Sequence, residues 1–293
     1  MIGNATKFLT TRQLAQLWLV SEATIKRWAD TGQLGASRTV GGHRRFLLSE
    51  VMRFQAERGL GVSAAGGPAA AASSAVAAGD FDAGAAGEQF FEAVSRGRAA
   101  QATALLLEAR MSGAPLDLIF DRLVAPSMRR VGDRWHADEM SVADEHLATS
   151  TATLAVESLA RSTAARTGAH AAEAVCCAAE EELHTLAVLC AQAVLEGAGW
   201  GVRNLGGHTP FFALADYVSA QRPALVCVSA TAQRELAHNA RDYTQFAEAA
   251  RACGARVVLG GEGFRGEAVR RRFPADLHAE SFRDLAEFLA RLG

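Results

Sequence analysis

The sequence predicts three structural units: a small winged helix-turn-helix head, a four-helix bundle and a doubly wound, flavodoxin-like parallel-sheet domain. Three observations lead to this prediction. Two helix-start signals precede a Gly-Gly hairpin near the amino terminus, apolar residues recur at helical spacing in the middle of the chain, and short β-rich runs alternate with helical stretches thereafter. A chain of 293 residues, 49% of them hydrophobic, can bury several such cores.

The first unit, residues 1–62, is predicted from two helices that begin with hydroxyl residues and from a hairpin. Thr10 and Ser21 each precede a run of helix formers, as helix caps do. The following segment, GASRTVGGHRRF, places two glycines between extended flanks, which is typical of a hairpin tip. A further helix is expected from Leu48 to Glu57, so the order indicates a helix-turn-helix with a wing.

The head is basic, whereas the rest of the chain is acidic. Residues 1–60 hold nine Lys and Arg against four Asp and Glu, a balance of +5 in a chain of formal charge −2. Such a head favours an anionic partner, and the helix-plus-wing order indicates double-stranded DNA, although either basic element alone is equally explained as a solvated face. The candidate DNA-contacting residues are Thr24, Lys26 and Arg27 on the second helix and His43, Arg44 and Arg45 on the wing.

The head resembles the MerR family of winged-helix regulators. It shares with them a Thr-led first helix, a recognition helix that ends in an aromatic residue, and a GGxRRY/F wing. The resemblance implies that Arg44 and Arg45 contact the DNA backbone, that Phe46 packs the wing, and that Trp28 anchors the recognition helix. Metal-sensing members carry a long dimerisation helix and metal-binding cysteines after the head; this chain has neither pattern, so metal sensing is not favoured.

The two middle segments differ sharply in composition. Residues 63–87 are almost all Ala, Gly, Ser and Pro, which predicts a flexible linker because too few large apolar side chains offset the entropy of ordering. Residues 88–168 carry apolar residues at helical spacing, as in Leu116, Ile119, Phe120 and Leu123, and predict a four-helix bundle.

The last unit, residues 169–293, is predicted to hold five parallel strands with helices on both faces, at 173–178, 202–205, 224–228, 256–259 and 276–277. Open sheets of this kind bind ligands beyond the carboxyl ends of their strands. A histidine two residues after a carboxylate there suits metal ligation with an oriented ring, although one loop histidine alone is not informative. The polar and glycine residues that follow four of the strands are Glu182, His184, Gly207, Thr209, Ser229, Thr231, Gly260 and Gly261.

These residues resemble the DxHxxG, SxL/T and GG signatures of the cobalamin-binding domain. The resemblance implies that His184 is the lower axial ligand of cobalt and that Glu182 orients its ring. It further implies that Ser229 and Thr231 line the pocket for the nucleotide tail, while Gly260-Gly261 let the tail pass.

The bundle carries a second, narrower resemblance. Trp135, followed after nine residues by Glu145 and His146, is similar to the W-x9-EH pattern of light-responsive, cobalamin-dependent MerR-type regulators, the CarH/LitR-like group. The resemblance implies that Trp135 shields the adenosyl side of adenosylcobalamin and that Glu145 and His146 hold this group. His136 is the candidate for a second cobalt ligand after light cleaves the cobalt–carbon bond.

The predicted function is therefore that of a DNA-binding repressor and photoreceptor, not an enzyme, which forms a homo-oligomer (dimer or tetramer) and releases DNA when photolysis changes its assembly. Glu182 stands where the motif has Asp and Ala187 where it has Gly. These departures keep open a regulator that binds another tetrapyrrole, such as a biliverdin-like bilin, or no cofactor. A corrinoid-dependent methyltransferase or mutase is a further alternative.

The composition bears on the compartment. The amino terminus lacks a signal-peptide pattern and no apolar run reaches the roughly 20 residues that cross a bilayer, so a cytoplasmic protein without membrane contact is expected. The cysteines have no zinc-binding spacing and are expected to be reduced residues of the core: Cys176, Cys177, Cys190, Cys227 and Cys253.

Overall fold

The computed structural model describes residues 8–17, 20–39, 42–47, 50, 51, 54, 82–163, 172–231 and 240–292. Within them lie the three predicted units. No helix in this part of the chain is long and apolar enough to cross a membrane.

The head is a small three-stranded antiparallel sheet with two helices. The strands run in the order β1-β3-β2, and Leu14, Ile25 and Phe46 are buried between the sheet and the helices. Ser21 caps the second helix, since its Oγ accepts from the Thr24 N–H at 3.2 Å. The elements are β1 (Phe8–Thr10), α1 (Thr11–Leu17), α2 (Glu22–Asp30), β2 (Ser37–Arg38) and β3 (Arg44–Leu47).

The wing and its flanks agree with the sequence prediction. The hairpin between β2 and β3 closes through the Thr39 N–H to the His43 carbonyl and the Gly42 N–H to the Thr39 carbonyl. Residues 50, 51 and 54 of the predicted helix 48–57 are helical, and the rest of that helix lies outside the described residues. Phe46 is fully buried in the wing, as expected.

The second unit is a bundle of four helical arms, as predicted, but it begins earlier than predicted. The predicted linker 63–87 is wrong over its last residues, because a helix begins at Ala83. Its cap is Asp82, whose carboxylate accepts the N–H groups of Gly84 and Ala85. Residues 63–81 lie outside the described part. The arms are α3 (Ala83–Ser95), α4 (Ala99–Met111), the run of α5 (Leu116–Ile119), a π-helical turn (Phe120–Val124) and α6 (Ala125–His136), and α7 (Val142–Thr163).

The third unit is a five-stranded, all-parallel sheet with strand order β5-β4-β6-β7-β8, which confirms the doubly wound fold. The order reverses between β4 and β6, so the crevice that binds ligands in such folds lies beyond their carboxyl ends. The elements are β4 (Glu173–Ala178), α8 (Leu186–Gly197), β5 (Gly201–Asn204), α9 (Phe211–Gln221), β6 (Leu225–Ser229), α10 (Ala240–Cys253), β7 (Arg256–Gly260), α11 (Glu267–Arg272), β8 (Leu277–Ala279) and α12 (Phe282–Leu292).

The bundle and the sheet domain share one hydrophobic core. Buried residues of the bundle, such as Phe120 and Leu159, belong to the same cluster as Val188 of α8 and Leu289 of α12. One polar contact reinforces this join: the Asp121 carboxylate accepts the N–H groups of Phe282 and Arg283 at 2.9 and 3.0 Å and so caps α12 from the bundle. The two units therefore form one packed body.

Candidate functional site

The predicted strand-end residues meet at the point where strand order reverses. Ala178 and Ser229 end β4 and β6 side by side in register. Beyond the strand ends, the loop after β4 lies next to Thr231, whose N–H donates to the Glu182 carboxylate. Two distant segments thus supply one crevice.

Glu182 is the centre of this crevice. Its side chain is only 2% exposed. Its Oε1 accepts from the His184 backbone N–H at 2.8 Å and lies 2.6 Å from His184 Nδ1, while its Oε2 accepts from the Thr231 N–H at 2.6 Å. Burial alone would raise the pKa of Glu182, but these hydrogen bonds outweigh it and lower the pKa to about 2. Glu182 is therefore an anion that holds His184 and Thr231 together.

His184 is oriented by this anion and reaches into solvent. Its side chain is 65% exposed, although its partner is buried. Because Nδ1 donates to Glu182, the lone pair of the neutral imidazole is on Nε2, which is the arrangement of a metal-ligating histidine with a carboxylate behind it. Among the described residues, no group of three His, Cys, Asp or Glu is placed to hold a metal ion.

The loop after β5 packs against the same segment. Gly207 lies where a Cβ atom would come 3.0 Å from the Glu182 carbonyl oxygen, and the Thr209 N–H donates to the Ala178 carbonyl. The neighbouring His208 accepts the Glu181 N–H on its Nδ1 at 2.9 Å. Its remaining proton is therefore on Nε2, which makes His208 unsuited to metal ligation and distinguishes it from His184.

The loop after β7 begins with a glycine that its surroundings require. Gly261 has φ +94°, and a Cβ atom there would come 2.3 Å from the Ala230 carbonyl oxygen, so only glycine fits. Gly260 is less constrained, because its nearest neighbour would be Ala279 at 3.7 Å. Ser229 is half-buried at the end of β6, and Ala187 is exposed in the first turn of α8. Of the two glycines, only Gly261 is thus required by its neighbours.

The bundle residues form a second group. Trp135 is 41% exposed at the end of α6 and lies edge-on to the His136 ring, with centroids 4.7 Å apart. His136 Nδ1 lies 2.8 Å from the Gly132 carbonyl oxygen and donates to it, which leaves the lone pair on Nε2. Glu145 accepts from the Thr149 hydroxyl at 2.7 Å, and its other oxygen lies 3.6 Å from His146 Nε2.

One contact relates the two groups in space. Arg129, about 1.7 turns before Trp135 on α6, lies 4.0 Å from Glu262, the residue after Gly261. Helix α6 therefore passes the glycine loop of the sheet domain. The described contacts do not bring Trp135, Glu145 or His146 into hydrogen-bond distance of His184, and a ligand between the groups would have to bridge them.

Some of the predicted DNA-contacting residues of the head are exposed, and others form contacts within the head. Arg27 and His43 are exposed, and Thr24 shares hydrogen bonds with the helix cap Ser21. Lys26 pairs with Glu22 along the same helix at 3.8 Å. Arg44, with a side chain only 18% exposed, binds Asp30 at 2.5 Å. Its guanidinium therefore joins the wing to α2.

Three features were missed by sequence reasoning: the Asp121 cap on α12, the His208 contact and the Asp30–Arg44 ion pair. Each joins residues separated by 14 to 161 positions, and no local pattern marks them. The cysteine prediction agrees with the structure, since all five thiols are free and only Cys253 is not buried.

Comparison with known proteins supports this organisation. Residues 8–59 match the helix-turn-helix domain family, and residues 86–160 match the B12 binding domain family. A relative, the HTH-type transcriptional repressor CarH of Myxococcus xanthus, is 33% identical over 129 residues, which are 44% of this chain and 42% of CarH. The match thus spans less than half the length of that relative.

The fold of the body has a counterpart among solved structures. The monomethylamine corrinoid protein of Methanosarcina barkeri superposes with a TM-score of 0.59 at 18% identity, over 70% of this chain and 96% of that protein. One chain thus carries both a helix-turn-helix match and a B12 binding domain match, as the sequence predicted for a cobalamin-binding helix-turn-helix transcriptional regulator, while the likeness to the MerR family and to light-responsive regulators stays a prediction.

Proposed function

We propose that this protein is a repressor that binds double-stranded operator DNA through its head and holds adenosylcobalamin in its body, with light as the signal that ends repression. The observation that carries the proposal is the Glu182-oriented His184 at the switch point of the sheet, in a chain that also bears a winged head.

The residues of the crevice fit a cobalamin. His184 would hold the cobalt of a cobalamin through Nε2, with Glu182 as its orienting anion. Gly261 keeps the loop after β7 free of side chain, and Ser229, Thr231, Gly207, Thr209 and Gly260 are the candidates to line the path of the nucleotide tail. A large flat ligand needs such bare backbone on one side.

The bundle residues suit the opposite face of the cofactor. Four of the exposed large hydrophobic side chains lie on α6 and α7, namely Trp135, Val142, Leu147 and Leu154. A ligand or a partner that covers these helices would remove this apolar surface from water. Trp135 would exclude water from the upper face, and Glu145 and His146 would hold the adenosyl group.

When bound, adenosylcobalamin would supply a cobalt–carbon bond that light breaks. His136 would be a candidate to hold the cobalt after that bond is broken, because its Nδ1 is occupied by the Gly132 carbonyl and its lone pair is on Nε2. Movement of His136 and Trp135 would displace α6, which passes the glycine loop at the Arg129–Glu262 contact.

Control of DNA binding follows from avidity. One winged head makes few phosphate and base contacts, so a single copy binds weakly; several heads held together by assembled bodies bind far more tightly. We propose that the loaded bodies associate, as a dimer or tetramer, and separate after illumination. The exposed Arg27 and His43 and the wing residue Arg45 would contact DNA, while Arg44 would fix the wing on Asp30.

The experiment is size-exclusion chromatography of the full chain with adenosylcobalamin, kept dark and then illuminated, with mass and absorbance recorded on the same peak. The proposal expects colour to co-elute and mass to fall on illumination. Colour without a change in mass contradicts the light-dependent assembly but leaves cobalamin binding intact, whereas a colourless peak contradicts the cofactor.

A further inference from the structure

The loop that carries Glu182 and His184 is clamped from the side by a second histidine. The Glu181 N–H donates to His208 Nδ1 at 2.9 Å, and the His208 N–H donates to the Glu182 carbonyl oxygen at 2.9 Å. The loops after β4 and β5 thus exchange two hydrogen bonds one residue away from the anion that orients His184.

Both loops are strained where they meet. Glu181 has φ +64° and His208 has φ +52°, which places two non-glycine residues in the left-handed region. Such conformations are unfavourable for residues with a side chain and persist where the surroundings hold them. Within this turn the Glu182 N–H donates to the Ala179 carbonyl, and His208 holds two more backbone groups, the Glu181 N–H through its side chain and the Glu182 carbonyl through its own N–H.

The ring of His208 acts as an acceptor in this clamp. A backbone N–H can only donate, so Nδ1 must carry the lone pair and His208 holds the turn as a neutral imidazole with its proton on Nε2. A side chain that offers no acceptor at this position would release the Glu181 N–H. Since Glu182 follows directly, its carboxylate would lose its fixed distance to His184 and Thr231.

We propose that His208 is a positioning residue for the lower ligand of cobalt: it fixes the turn at Glu181, the turn fixes the Glu182 carboxylate, and the carboxylate fixes the His184 ring. The inference rests on the proposed cobalamin site and deepens it. Substitution of a residue that hydrogen-bonds to a metal ligand commonly weakens metal binding by about 10- to 100-fold. His208 acts through such a residue, Glu182, so we expect its substitution to weaken cobalamin binding by about tenfold.

The test compares His208→Asn with His208→Gly in the full chain. Both residues tolerate a positive φ, so the backbone strain changes little, but only the Asn carbonyl oxygen replaces Nδ1 as an acceptor. The first readout, taken without cofactor, is amide hydrogen exchange over residues 180–184. The second is the dissociation constant for hydroxocobalamin, with the absorbance spectrum that reports imidazole ligation.

We expect His208→Gly to exchange faster over 180–184, to bind hydroxocobalamin about tenfold more weakly and to lose part of the imidazole-ligated spectrum, and His208→Asn to restore all three. Native values in His208→Gly overturn the inference, as does a His208→Asn protein that is as impaired as His208→Gly. If the native protein itself binds no cobalamin, the proposed function fails, and the exchange data alone decide whether His208 holds the turn.

Discussion

Replacing Glu182 by Gln removes the anion at the centre of the crevice without changing its size. The Glu182 carboxylate accepts three N–H groups, two from His184 and one from Thr231. Glutamine offers one oxygen and one amide, so at least one N–H must face the amide group. Charge-assisted hydrogen bonds contribute about 1.5–3 kcal/mol each, and we therefore expect a loss of roughly 2–3 kcal/mol in the free energy of unfolding.

The pH dependence of that loss has a definite sign. The pKa of Glu182 is lowered from 4.5 to about 2, so its contribution to stability is complete above pH 4.5 and is lost as pH falls toward 2. The difference between the native protein and Glu182→Gln should therefore be fully present at pH 7 and smaller by about 2 kcal/mol at pH 3. Urea unfolding at both pH values measures it.

Glu181→Gln is the matched control, because it changes the adjacent exposed carboxylate and leaves the Glu181 N–H in place. Its unfolding should match that of the native protein at both pH values. A Glu182→Gln protein that is as stable as the native protein at pH 7, or a difference that does not shrink at pH 3, would refute the role assigned to this anion.

Three further outcomes are expected. Gly261→Ala should destabilise the body by about 1–3 kcal/mol, because the added Cβ would meet the Ala230 carbonyl. Gly266→Ala is the control and should destabilise it less, since Gly266 has φ +92° but open space around it. Equal losses of stability in urea unfolding would mean that the contact with Ala230 is unimportant. Asp121→Ala should lower stability by about 1–2 kcal/mol through loss of the cap on α12, and Asp121→Asn should recover part of it; an unchanged urea midpoint in Asp121→Ala would count against the cap. Arg27→Ala should reduce the slope of log affinity for DNA against log salt by about one in a binding titration, and an unchanged slope would remove Arg27 from the DNA interface.

The sequence was sufficient for the fold, because the strands and helices have local signals, whereas the roles assigned to the site residues stay predictions. Residues 174–178 of the strand Glu173–Ala178 form an unbroken apolar run, and three glutamates follow at 180–182, so the sequence alone locates the carboxyl edge of the sheet. In the head, Phe46 is buried and Trp28 packs on Phe54 with ring centroids 5.1 Å apart, in agreement with the packing roles that the resemblance implied.

Features that depend on distant contacts were not predictable. The start of α3 was missed because its first turn has the same Ala-Gly composition as the linker, although Asp82 gave a cap signal. The Asp121 cap joins residues 161 positions apart, and the π-helical turn that carries it has no sequence pattern. Likewise, no local pattern predicts the ion pair between Arg44 and Asp30, because only the fold brings the two residues together.

Whether His184 holds a cobalamin in the crevice can be measured by the dark absorbance spectrum of the full chain after adenosylcobalamin loading and gel filtration, for the native protein and for His184→Ala. We expect a cobalt spectrum with imidazole ligation in the native protein, and in His184→Ala either loss of colour or a spectrum without imidazole ligation. Identical spectra for the two proteins, or a colourless native protein, would contradict this expectation.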